Sequence, residues 1–409
     1  MTFPDGFWWG TAASSTQAEG ASPESTWRRW EKLGRVPPSG EGNGFATNYR
    51  DDFAMYAEHG LTHHRLGIDW ARIEPREGKR DAQAIEHYTD MLQAARDAGI
   101  EPWVCLHHFT LPGWFGDDMG GFVDDRARGY YWPRHVDFMA ETFGDLVFGW
   151  KPINEPTAYA FASYLMGVFP PGEADLERFA KALRGTYLAN HEAWRLLRSG
   201  GKPVCTIMNL QPSYPGVRGR EPDERDVARA NADTFDAVIF SSWIRALRDG
   251  ILAVPGLPEE EIPDMAESFD LIGFSYYNAT TVFADLTTGP YPADATVGPL
   301  GYAPWPEGLG VVLRRLAEEL PGRPLVVAEC GIGTSATVGD DAWREGLLRD
   351  SLIEVERAID DGIDVRGFFH WTGVDNYEWD HGHTVDFGLF DRDRHPRGSA
   401  RLAAEWARR

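Results

Sequence analysis

The feature that most constrains this chain is a repeated pattern of hydrophobicity. Eight short apolar runs alternate with longer helical stretches. The runs cover residues 7–12, 64–68, 103–107, 147–153, 204–209, 271–277, 325–328 and 366–371. Most are apolar without interruption, as strands buried on both faces are. Helical periodicity fills residues 49–59, 84–98, 176–197, 223–247, 309–320 and 342–359. Several of these stretches stop at Gly60, Gly99, Gly200, Gly250 or Gly362, the residue type that most easily takes the left-handed turn at a helix end. Eight strand–helix alternations predict a parallel sheet closed into a (β/α)₈ TIM barrel. The rival, a doubly wound open sheet, usually carries a Gly-rich phosphate loop after its first strand, and Gly10-Thr-Ala-Ala-Ser-Ser lacks that pattern.

A chain of 409 residues suits one such barrel with insertions. No Pro/Gly linker or internal repeat divides it, so residues 1–409 read as a single catalytic domain. The loop-rich stretches 22–45, 111–131, 278–305 and 373–397 follow strands one, three, six and eight. In a barrel those loops rim the C-terminal mouth, where active sites lie.

The formal net charge of −23 comes with no Lys/Arg run. That combination argues against nucleic acid and against anionic lipid as partners. The three cysteines, Cys105, Cys205 and Cys330, are odd in number and far apart, which suggests neither a disulfide framework nor a zinc site. The start, Met-Thr-Phe-Pro-Asp, has no basic segment followed by a long apolar one. No run of 18 apolar residues occurs either, so a cytoplasmic location is the default expectation. Oligomeric state is not readable. The 16 tryptophans are compatible with sugar binding, since the C–H face of a pyranose is apolar, but buried core tryptophans account for such a number equally well.

Polar groups stand where the strands end. Strand four ends in Pro152-Ile-Asn-Glu-Pro156 and strand seven in Val327-Ala-Glu-Cys-Gly331. Two glutamates across one barrel mouth are what glycoside hydrolysis by paired carboxylates requires: one protonated to serve the leaving oxygen, the other ionised. Arg65 near the start of strand two, Tyr277 ending strand six and Trp371 ending strand eight point to the same mouth. Taken singly, each reads as well as a structural residue.

Taken together, the motifs resemble glycoside hydrolase family 1, the β-glucosidase family, over nearly the whole length. They are Phe7-Trp-Trp-Gly-Thr-Ala-Ala-Ser-Ser-Thr-Gln-Ala-Glu-Gly20, His64-Arg-Leu-Gly-Ile-Asp-Trp-Ala-Arg72, Leu106-His-His-Phe-Thr-Leu-Pro112, Asn154-Glu155-Pro156, and Asp375-Asn-Tyr-Glu-Trp379 with Phe387-Gly388. The resemblance implies a retaining β-glycosidase, with Glu155 as acid/base and Glu329 as nucleophile. It further implies that Asn154 contacts the sugar 2-hydroxyl, and that Arg65 and Tyr277 hold Glu329 ionised. Gln17, His108, Glu378 and Trp379 would grip the outer hydroxyls, with Trp371 as the platform under the ring and Phe387 as a wall. Asn209 is a candidate for the site edge. No cofactor or metal is implied, and the partner is a small glycoside or oligosaccharide.

The chain departs from the family pattern at Cys330, where Asn is usual, at Ser275, also usually Asn, and at Thr16. A thiol beside a carboxylate should be hard to ionise, so Cys330 reads as a packing or turn residue. Glu378 is present where phosphoglycosidases replace it, which speaks against 6-phosphorylated sugars. Three other readings remain. A metal-dependent hydrolase could draw on His63, His64, His107, His108, His381 and His383. A non-catalytic sugar-binding barrel could keep the fold alone. A transglycosylase would use the same residues.

Overall fold

The computed structural model describes residues 3–219 and 223–408. Eight strands form one parallel sheet: β1 (Trp8–Ala12), β2 (His63–Gly67), β3 (Glu101–His107), β4 (Gly149–Ile153), β5 (Met208–Asn209), β6 (Ile272–Tyr276), β7 (Leu325–Cys330) and β8 (Val365–Trp371). Their order is β4-β3-β2-β1-β8-β7-β6-β5. Parallel bridges Trp150↔Val204 and Asn154↔Ile207 join the two ends, which makes the sheet a closed (β/α)₈ barrel. Residues 1, 2, 220–222 and 409 of the expected domain lie outside the described residues.

The barrel interior is packed with aromatic rings. Trp103 and Phe369 are fully buried there. Such rings fit only beside residues without side chains. A Cβ on Gly149 would stand 2.4 Å from the Trp103 ring, and one on Gly10 would stand 2.5 Å from Phe369. Large and small residues thus interlock at close-packed density.

Eight principal helical segments surround the barrel: Phe45–Glu58, Ala82–Asp97, Asp125–Phe143, Leu176–Leu197, Glu224–Asp236 continued by Ser242–Asp249, Pro306–Glu319, Asp341–Asp360 and Gly398–Ala407. Four start on an aspartate. The carboxylates of Asp81, Asp124, Asp175 and Asp340 accept hydrogen bonds from the first-turn N–H groups. Part of the net negative charge therefore sits where helix dipoles favour it. No described helix is long and apolar enough to cross a membrane.

Several expectations need correction, among them the loop-rich stretches 22–45 and 278–305, which also hold the helix Thr26–Lys32 and the strands Ala279–Val282 and Thr288–Tyr291. The stretch 111–131, read as loop, already contains the start of the Asp125–Phe143 helix. Its signal was the capping aspartate at 124, and Pro133 interrupts the pattern. The left-handed residue after Leu176–Leu197 is Gly201 (φ 67°), not Gly200, because a 3₁₀ turn extends the helix first. Strand five was expected over 204–209 but is regular only at Met208–Asn209. The Thr206 hydroxyl intercepts the ladder: it donates to Gly273 O (2.7 Å) and accepts from Gly273 N (2.9 Å). One side chain replaces two backbone partners, so pairing is satisfied without a regular strand.

That contact requires the two chains to lie unusually close. A Cβ on Gly273 would lie 2.1 Å from Thr206 O and 2.6 Å from Cys205 Sγ. Gly273→Ala should therefore destabilise the protein by roughly 1–3 kcal/mol through overpacking. The loss should appear as a lower midpoint in thermal or urea unfolding.

Candidate active site

The residues put forward from the sequence for a glycosidase site come together at the C-terminal mouth. A cavity of about 190 Å³ is lined by His108, Asn154, Glu155, Asn209, Tyr277, Glu329, Trp371, Glu378, Trp379 and Phe387. Arg65 and Gln17 lie just behind its wall and touch these residues instead.

Arg65 projects from β2 into the barrel and has no exposed surface. One guanidinium nitrogen, Nη2, forms an ion pair with Glu329 Oε1. The other, Nη1, donates to Asn154 Oδ1 (2.9 Å) and to His108 Nδ1 (3.1 Å). The Arg65 guanidinium carbon lies 5.4 Å from the Trp371 ring centroid. Burial opposes its charge, but the Glu329 carboxylate more than restores it, so its pKa sits above the ordinary arginine range.

These contacts fix the hydrogen positions of their neighbours. Arginine can only donate, so His108 Nδ1 is an acceptor. Burial, then the nearby guanidinium, push the His108 pKa well below its usual value, so the ring is neutral with its proton on Nε2. Asn154 must likewise turn its oxygen to Arg65, which leaves its NH₂ group 3.4 Å from His108 Nε2, where both nitrogens carry protons and neither accepts. The His108 ring lies nearly parallel to Trp371 (5.6 Å, 21°) and to Trp379 (6.0 Å, 21°).

Glu155 caps the short helix Pro156–Ala160 with a left-handed backbone (φ 43°). Its N–H donates to Ile207 O (2.9 Å), and Asn154 N donates to His107 O (2.9 Å). Both flanking strands therefore pin the strained turn. Phe109 (φ 67°) and Trp379 (φ 45°), also at the cavity, share the unusual conformation, and such strain clusters at functional sites.

The carboxyl groups differ in environment. Glu329 accepts from Tyr277 Oη at 2.5 Å as well as from Arg65, and both donors favour the carboxylate form. Glu155 is buried, and its Oε1 has no hydrogen-bond partner. Burial, then the charge of Glu329, push its pKa up to about 8, while Ser275 and Asn209 beside it offset this only in part. Glu378 is also raised to about 8, by burial and then by Glu329. Gln17 Nε2 donates to Glu378 Oε2 (3.0 Å). That amide is itself held by Ser14 Oγ, which donates to Gln17 Oε1 (2.8 Å) while capping the helix Ser15–Glu19.

The departures from the motif pattern fall into place. Cys330 points away from the cavity toward Ser351 on the outer helix Asp341–Asp360, with Sγ···Oγ 3.8 Å. Burial, rather than the charge of Glu329 as expected from sequence, pushes its thiol up to about 12. Thr16 turns to the Thr110 hydroxyl (3.2 Å). Ser275 Oγ is buried at the edge of the site, beside Glu155.

The histidines of the metal reading do not converge. His64 Nδ1 bonds Thr11 Oγ1 (2.8 Å), His63 Nδ1 bonds Thr62 Oγ1 (2.8 Å), and His107 Nδ1 bonds Thr110 O (3.3 Å). Among the described residues, the group with metal-donor spacing is Asp391, Asp393 and His395. None of the six candidate histidines belongs to it.

Sequence reasoning missed several cavity residues: Phe109, Ala158, Ala162, Phe169, Leu300 and Tyr302. They come from loops and from the helix after β4. Phe109 was detectable within the third-strand motif, but the others carry no local signal.

Comparison with known proteins places this geometry in context. The model of glycosyl hydrolase family 1 matches residues 1–408. Thermostable beta-glucosidase B of Thermobispora bispora is 29% identical, over 94% of this chain and 85% of its own length. Coniferin beta-glucosidase of Pinus contorta is 28% identical, over 99% and 91%. Among solved structures, a beta-glycosidase from Pyrococcus horikoshii superposes with a TM-score of 0.88 at 30% identity, covering 100% of this chain and 95% of that one.

Removing Arg65 should expose how much the site depends on it. Arg65→Met leaves Glu329 buried without its counter-charge and should cost about 3–5 kcal/mol of stability at neutral pH. The deficit relative to wild type should narrow in acid, where the carboxyl can take a proton. Unfolding curves at the two pH values measure it.

Proposed function

This chain belongs to glycosyl hydrolase family 1 and is a glycoside hydrolase; we propose, from that premise, that it is a retaining β-glycosidase acting on terminal β-D-glucosides, with Glu329 as nucleophile and Glu155 as acid/base. The observation that carries this reading is the contrast between two buried carboxyls in one cavity. Glu329 is gripped by two donors, while Glu155 has an unpartnered oxygen and a pKa of about 8. One is prepared to attack and the other to deliver a proton.

In the first step Glu329 attacks the anomeric carbon as Glu155 protonates the departing oxygen, giving a glycosyl ester. Esterification removes the negative charge of Glu329, which is the second-largest cause raising Glu155. Glu155 then ionises more readily and takes a proton from water in the second step. Asn154, its oxygen held by Arg65, has an NH₂ group left for the sugar 2-hydroxyl. The neutral His108, with its proton on Nε2, and the Gln17–Glu378 pair offer donors and acceptors to the remaining hydroxyls. The small cavity suits one terminal sugar unit. The β-glucosidase names of the relatives support a glucoside.

Two measurements test this reading. Activity should fall as pH rises through about 8, because Glu155 must keep its proton for the first step and its pKa is raised to about that value. Glu329→Ala should reduce turnover by several orders of magnitude, with partial recovery in azide as the α-glycosyl azide. Proton NMR of the earliest product from an aryl β-glucoside should show the β-anomer. An α-anomer first would reject the retaining pathway.

A further inference from the structure

A cavity suited to one sugar unit leaves the alcohol part of a glucoside at its rim, on the side of Glu155. The chain that continues from Glu155 is unusual in composition. Residues 156–171 contain no charged side chain, in a protein where 25% of residues are charged. Helical spacing sorts this segment into two faces. Ala158 and Ala162 follow Glu155 at the intervals that repeat one helix face, and both line the cavity with it. Phe161 and Leu165 belong to the opposite face. They line a separate apolar pocket with Phe179 of the helix Leu176–Leu197, where the Phe161 and Phe179 ring centroids are 6.3 Å apart. That anchor holds the segment from behind and leaves the alanine face open.

The turn Phe161–Leu165 is π-helical. Met166 N donates to Phe161 O (2.8 Å), a bond that adds one residue to the turn and brings Met166 into line with Ala162. Gly167 (φ 66°) then reverses the chain. Val168 N and Phe169 N both donate to Ala162 O (2.9 and 3.1 Å), which folds these residues back beside the alanine. Phe169 re-enters the cavity against Phe109 (5.8 Å) and Trp379 (5.4 Å). Exposure rises along this line. Glu155 is buried, Ala158 and Ala162 are half-buried, and Met166 and Val168 are 56% and 45% exposed. Leu300 and Tyr302, also half-buried, add to the rim from a turn closed by Gly298 N and Tyr302 O (2.8 Å).

A second sugar placed here would lose water from its hydroxyls against side chains that are mostly carbon, a cost that an alkyl chain does not meet. Of the polar lining groups on this side, Asn209 is beside Glu155 and the Tyr277 hydroxyl is committed to Glu329.

We propose that Ala158, Ala162, Met166 and Val168 form an apolar track for the leaving group, so that the preferred substrates are β-glucosides of long apolar alcohols rather than oligosaccharides. The assignment rests on Glu155 being the acid/base, because that places the departing oxygen at the start of the track. From Glu155 to Met166 the track spans roughly 16 Å at about 1.5 Å per residue, room for an octyl chain. Such alcohols are poor leaving groups, and they need the proton that Glu155 holds.

The n-alkyl β-glucosides from butyl to octyl test this directly. Their leaving groups are equally acidic, so kcat/KM changes along the series only through contacts of the tail. It should rise about 2-fold per methylene, less than the about 4-fold of complete burial, and hence roughly 16-fold from butyl to octyl. Octyl β-glucoside should also be a better substrate than cellobiose. In the double variant M166D/V168D, changed only at exposed positions, the octyl-to-butyl ratio should fall to about 4-fold or less with the melting temperature unmoved. A flat series in the wild type, an unchanged ratio in the double variant, or cellobiose as the better substrate would overturn the proposal. A separate result bears on the reading beneath it. Glu155→Gln should lose far more activity on octyl than on 2,4-dinitrophenyl β-glucoside, and equal losses would overturn Glu155 as the acid/base.

Discussion

The site depends on one buried guanidinium. Arg65 comes from β2, yet it contacts His108 after β3, Asn154 after β4, Glu329 on β7 and Trp371 on β8. A planar fork with several donors can hold such a set in fixed directions, whereas a lysine in the same place would supply charge without orientation. The desolvation of that cation is offset only because a carboxylate meets it. The ion pair and the active site are thus one arrangement, and neither partner can be neutralised without stranding the other.

The same low-dielectric setting separates the carboxyls. Burial acts on Glu155, Glu329 and Glu378 alike, but only Glu329 has a guanidinium and a phenol at its oxygens. Its negative charge then works through the dry interior to hold the other two in their protonated form. Under the proposed mechanism, burial first and then the Glu329 charge keep Glu155 protonated, and esterification of Glu329 would remove the second of these. The surface follows a different rule: its excess of acidic groups includes helix caps exposed to water, where a charge costs little and the helix dipole favours it.

The barrel was legible in the sequence because strands buried on both faces leave continuous apolar runs, and those runs do not depend on loop structure. Each of the eight barrel strands overlaps an expected run. The failures occurred where a side chain replaced backbone pairing, as at Thr206, or where an aspartate cap was the only mark of a helix start, as at Asp124. The site was legible where polar residues stand at strand ends, a position that any barrel turns toward its mouth. Leu300 and Tyr302 were not, because a loop side chain reaches the cavity through a fold-back that no local periodicity records.

Cys330 shows how finely position separates chemistry from packing. It follows Glu329 directly, and in the sequence the two look like neighbours in one environment. Along a strand, however, successive side chains face opposite sides. Glu329 turns inward to Arg65 and Tyr277, while Cys330 turns outward to Ser351 and the helix layer. The residue after Glu329 therefore answers to the fit between sheet and helix, and a thiol can stand there without reaching the cavity. Ser275 is the opposite case. It is level with Glu329 in the β6–β7 register and lies beside Glu155, whose raised pKa it partly offsets. Of the two departures, the one more distant from Glu329 in sequence is the one that faces the second carboxyl of the cavity.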